Sequence, residues 1–152
     1  MVEPWPSVQP RVTIGSAASV CVRAPVYDTS TFARSPIIQL AVDEVLKEDP
    51  DSVHGLTHPE TRNQMLQWMI EDAARFNPMN DVAKISPRPL LIITGDADPL
   101  IDLTGVRRLL EVAKEPKELV VVTGADHELT DPVAYETTIN RVVSWFENQR
   151  PR

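Results

Sequence analysis

The clearest pattern in the chain is a continuous apolar run, Leu90-Leu91-Ile92-Ile93, ending in Thr94-Gly95. Such a run, with no polar alternation, predicts a strand buried on both faces of a parallel sheet. A second run, Leu119-Val120-Val121-Val122, predicts a similar strand within Lys117 to Thr123. A third stretch, Arg11 to Arg23, carries Val12, Thr13, Ile14, Val20 and Val22. It reads as the first strand, with Gly15 as a bulge. Between and after these strands the period changes to that of a helix. Val106, Leu109, Leu110 and Ala113 fall on one helical face, and Ile139, Val142, Val143 and Phe146 on another. Asp131-Pro132 supplies an N-cap and a first-turn proline for the last helix.

Two further helices are expected between the first and second strands. One starts at Pro36, runs to residue 48, and places Ile37, Leu40, Ala41 and Val45 on one side. The other is expected to open with Thr57 and Glu60 as a capping box. It would set Leu66, Met69, Ile70 and Ala73 inward and end near Phe76-Asn77-Pro78. Core packing is the expected use of its methionines and Trp68, with a lid over an apolar substrate pocket as the alternative. The sequence shows no repeat. It is expected to form a single domain over 1–152, with residues 11–23 as first strand, 30–80 as a helical cap-like insertion and 84–148 as strand–helix units. Right-handed parallel crossovers are expected.

Composition narrows the function. Fifteen basic against 22 acidic residues give a net charge of −7, with no basic run. Nucleic acid and anionic membranes both require local positive charge, so neither is an expected partner. A lone cysteine, Cys21, cannot form an internal disulfide or a thiolate metal site. The first residues lack a basic start and an apolar core of leader length, and a cytoplasmic location is expected.

Candidate chemistry lies in two turns, Gly95-Asp96-Ala97-Asp98-Pro99 and Gly124-Ala125-Asp126-His127. Each follows the C-terminal end of a buried strand, the edge where reacting groups gather in parallel sheets. Asp98 and His127 stand 29 residues apart, one strand–helix–strand unit, which allows hydrogen-bonding contact between neighbouring strands. A carboxylate beside an imidazole fixes its tautomer and stabilises the imidazolium formed in general-base catalysis. Other groupings are weaker. Asp96, Asp98 and Asp102 lack calcium-loop spacing because Leu100 interrupts it, and His54 and His58 lack the zinc-protease pattern. No cofactor and no metal site are expected.

The segment Leu90 to Pro99 resembles the acid-bearing strand and turn of α/β-hydrolases. Lys114 to His127 resembles their histidine segment, and the last helix with Trp145-Phe146 their closing helix. The nearest resemblance is to the esterase and dienelactone-hydrolase-like branch, in its C-terminal half with part of a cap region. The resemblance implies a three-layer α/β fold with a mainly parallel sheet, flanking helices and a helical cap segment. It implies Asp98 as catalytic acid, His127 as base and a small ester-like substrate.

The chain departs from that family at the nucleophile. No Gly-x-Ser-x-Gly elbow occurs in the sequence, and Gly15-Ser16-Ala17-Ala18-Ser19 places Ala17 where the serine belongs. Cys21 has no flanking glycine and is expected to be a buried small hydrophobe. The expectation is therefore an ester hydrolase domain whose nucleophile lies outside this chain, a truncated form inactive alone. The alternative is a non-catalytic remnant or interaction module. The first strand would expose an unpaired edge, so self-association or a partner chain completing the sheet is expected.

Overall fold

A computed structural model of the chain describes residues 19–49 and 57–149. Its elements are β1 (Val20–Arg23), α1 (Thr29–Ala33), α2 (Pro36–Glu48), α3 (Pro59–Arg75), α4 (Pro78–Asp81), β2 (Leu90–Gly95), α5 (Leu103–Val112), β3 (Lys117–Val122) and α6 (Pro132–Asn148). The described part of the expected first strand is its end, Val20–Arg23; residues 11–18, with the proposed Gly15 bulge, lie outside the described residues.

The three strands form one parallel sheet in the order β1-β2-β3. Leu90 pairs with Val20 on one side and with Lys117 on the other, so β2 is central. Every residue of β2 is buried, as its unbroken apolar run requires. Alternate side chains enter opposite layers. Leu90 and Ile92 pack with Val106 and Leu109 of α5, whereas Ile93 packs with Val122 of β3, Ala125 of the turn after it and Ala134 of α6. The result is the expected three-layer α/β arrangement.

The face expected for α5 is the face that is buried: Val106, Leu109 and Ala113 are almost inaccessible. Gly105 lies on it too. A Cβ there would stand 2.0 Å from the Tyr27 ring, so only glycine lets that ring lie against the helix. Lys117 ties the end of α5 to the start of β3, its Nζ donating to the carbonyls of Leu110 and Ala113 at 2.7 Å.

The other helices correct the expected faces. In α6 the buried residues are Ala134 and Thr138, and of the expected stripe only Val142 packs inward, while Ile139, Val143 and Phe146 are exposed. Small side chains allow the helix to approach the sheet, and Thr138 satisfies its hydroxyl on the Ala134 carbonyl. In α2 Ile37 is half-buried as expected, together with Ile38, Val42 and Leu46, while Leu40, Ala41 and Val45 are exposed. In α3 Leu66, Ile70 and Ala73 are half-buried as expected, but Met69 is exposed and no residue is fully buried. Trp68 is 61% exposed, so core packing does not account for it. The capping box is also absent. The N-cap is His58, without a side-chain cap bond, because Pro59 takes the first helical position and leaves Thr57 one residue too early.

The α1–α3 pair is joined by Thr29, whose hydroxyl lies 2.8 Å from the Ala73 carbonyl. Asp28 accepts from the amides of Ser30 and Thr31 and from the buried Asn77 amide, fixing the chain as it leaves β1. Among the described residues, no helix is long and apolar enough to cross a membrane.

Candidate active site

The turns after β2 and β3 lie side by side, because the strands are neighbours in register. Three contacts join their backbones and side chains. Asp96 N–H donates to the Val122 carbonyl (3.3 Å) and Ala97 N–H to the Ala125 carbonyl (3.2 Å). Gly124 N–H donates to the Asp96 carboxylate (2.7 Å). Gly124 has φ 74°, a left-handed conformation that glycine adopts without strain.

This scaffold brings Asp98 and His127 together. His127 Nδ1 lies 2.9 Å from Asp98 Oδ2. The Asp98 side chain is fully buried, whereas that of His127 keeps 30% of its accessibility. The other Asp98 oxygen accepts from the Leu100 and Ile101 amides at 2.8 and 2.9 Å. Burial acts to raise the Asp98 pKa, but the His127 bond and the two amide bonds outweigh it and hold the carboxyl below its ordinary value. Asp98 is therefore the acceptor, and Nδ1 of His127 carries the donated proton. In the neutral ring this leaves Nε2 as the basic nitrogen.

The histidine turn is braced on its own side. Asp126 accepts from the Thr130 amide (2.9 Å) and from the Thr130 hydroxyl. These bonds hold its carboxyl below the ordinary range. From β1, Arg23 Nη1 donates to the His127 carbonyl at 2.9 Å.

The three aspartates weighed as a cation site are used separately. Asp96 holds Gly124, Asp98 holds His127, and Asp102 caps α5 through the Gly105 amide. Among the described residues no group of three or more ligating side chains could hold a metal. His58 is exposed at the start of α3, and His54 lies outside the described residues. Cys21 sits within β1, half-buried against the Ile93 cluster. Burial pushes its thiol pKa up, opposite to the shift that activates a nucleophile. Sequence reasoning did not identify Arg23 and Asp96 as supports of the pair. For Asp96 the available signal was its position directly after the buried strand β2, whereas the Arg23 contact depends on strand order across 104 residues.

Cavities among the described residues include two of note. An apolar groove of about 440 Å³ runs between α1 and α3, lined by Phe32, Met65, Trp68 and Phe76 among others. A second, of about 720 Å³, lies beside Val82, Ile85, Leu90 and Leu109. Neither has Asp98 or His127 in its wall.

No protein-family model matches the chain. It is similar to the uncharacterized protein YfhR of Salmonella typhimurium, 31% identical over 75 residues, covering 47% of this chain and 25% of that protein. Against YfhR of Escherichia coli K12 it is 34% identical over 68 residues, covering 43% and 23%. The match thus spans about a quarter of the length of these curated relatives. Among solved structures, the monoacylglycerol lipase of Paleococcus ferrophilus superposes with a TM-score of 0.56 at 19% identity, covering 90% of this chain and 61% of the lipase. The α/β hydrolase GrgF of Penicillium sp. sh18 gives 0.55 at 23% identity, covering 87% and 55%. With its parallel sheet, two helical layers and these structural neighbours, the chain has a partial α/β-hydrolase fold.

Proposed function

We propose that Asp98 and His127 are the acid and general base of an ester hydrolase centre, of the esterase or dienelactone-hydrolase-like kind, whose nucleophile is not in this sequence. The observation that carries the reading is the 2.9 Å contact between a fully buried carboxylate and a partly exposed imidazole at the C-terminal edge of a parallel sheet. Asp98 orients the ring and would stabilise the imidazolium; Nε2 would take the proton of a hydroxyl or thiol nucleophile. That nucleophile attacks the acyl carbon, and His127 then returns the proton to the leaving alcohol.

The sequence carries no Gly-x-Ser-x-Gly elbow to supply the nucleophile of that mechanism. A second reading, a non-catalytic remnant or interaction module, is favoured by the absence of any Gly-x-Ser-x-Gly in the 152 residues. The coding DNA around the Met1 codon separates the two. A strand–elbow–helix segment encoded in frame, expressed joined to this chain, is expected to give ester hydrolysis that His127→Ala abolishes. No such segment, or hydrolysis indifferent to His127→Ala, would favour the second reading.

A further inference from the structure

We propose that Arg23 is the positioning residue of the histidine turn, fixing the main chain of His127 while Asp98 fixes its ring. The inference rests on the acid–base reading of that pair and adds a third strand end to it.

Arg23 is the last residue of β1, in register with Ile93 of β2. Its Nη1 crosses the end of β2 to reach the His127 carbonyl at 2.9 Å, linking residues 104 apart in sequence. Asp98 meets the same residue from the turn after β2. His127 is thus gripped from both of the other strands of the sheet. Other bonds in its turn serve its neighbours, among them Asp96 to Gly124, Ala97 to Ala125 and Asp126 to Thr130.

The backbone next to each end of this link is unusual. Ala24, directly after Arg23, has φ 42°, and Leu129, two residues after His127, has φ 56°. A left-handed conformation strains a residue that carries a Cβ. Ala24 is held there by burial and by donating to the Ile93 carbonyl at 2.8 Å. Strain of this kind persists where surroundings over-determine it and clusters at functional sites.

The Arg23 link is solvent-exposed, so water can replace it and its weight in global stability is small. Its consequence is placement. A general base must be held within about 0.5 Å of its working position.

The test reads the ring directly. In nitrogen-15-labelled protein, the His127 Nδ1–H bonded to Asp98 is expected to give a far-downfield proton resonance, absent in His127→Ala and lost in Asp98→Asn. Arg23→Ala is expected to lose this resonance to solvent exchange, with the core methyl signals of Ile92 and Val106 unmoved. Arg23→Lys, which retains a cationic donor, is expected to recover it. A resonance in Arg23→Ala as sharp as in the parent protein would overturn the role of Arg23 and leave the pair intact. No such resonance in the parent protein, and no change with Asp98→Asn, would overturn the pair and the inference together.

Discussion

Gly95 and Ala125 touch so closely that a Cβ on Gly95 would lie 1.9 Å from the Ala125 carbonyl oxygen. The obstacle is backbone, and it belongs to the turn that carries His127. Gly95→Ala must therefore push the acid and histidine turns apart. Overpacking of this kind costs about 1–3 kcal/mol. A lower urea midpoint is expected, together with loss of protection of the Ala97 amide, which bonds Ala125. Parent-like stability and protection would show that the turns are not held this tightly.

Acid should weaken the fold in part through Asp98. Its folded pKa lies below its ordinary value, so on acidification the unfolded chain takes up this proton first. The contribution is complete above the ordinary carboxylate range, about 4, and is lost as pH falls through the folded value. Asp98→Asn cannot titrate. Its urea midpoint is expected to fall less steeply than the parent's between about pH 5 and about pH 2. Asp28 and Asp126, also shifted downward, continue to titrate in both proteins. Identical acid profiles would remove Asp98 from the account.

Among the described residues, β1 pairs with β2 alone. The Val20 and Ala24 amides donate to Pro89 and Ile93 carbonyls. By the two-residue alternation of a strand, the Cys21 and Arg23 amides face the free side. We expect the chain to self-associate through this edge, or to be completed by a partner strand. Cys21→Pro deletes an edge donor while leaving the β2 ladder, and should shift sizing and light-scattering profiles toward monomer. A parent protein that is monomeric at all concentrations would contradict this.

The sheet was legible in the sequence because burial on both faces leaves no polar positions in Leu90–Ile93. The contact of Asp98 with His127 was legible because one strand–helix–strand unit separates them. Helix faces were less so. In α2, Ile37, Ile38, Leu40, Val42, Val45 and Leu46 support two stripes, and periodicity does not choose between them. In α6 the larger apolar residues suggested the inner face, but close approach to the sheet selected Ala134 and Thr138. Arg23 was not legible as a support for His127, because their contact depends on strand order and spans 104 residues.

The central claim is an acid–base pair with no nucleophile of its own in this sequence. Hydrolysis of p-nitrophenyl acetate by the purified chain, compared with its His127→Ala variant, tests it most directly. The expected rate is no greater than that of free imidazole at equal concentration and shows no saturation. A saturable rate, abolished by His127→Ala, would contradict the claim and require a nucleophile within these 152 residues.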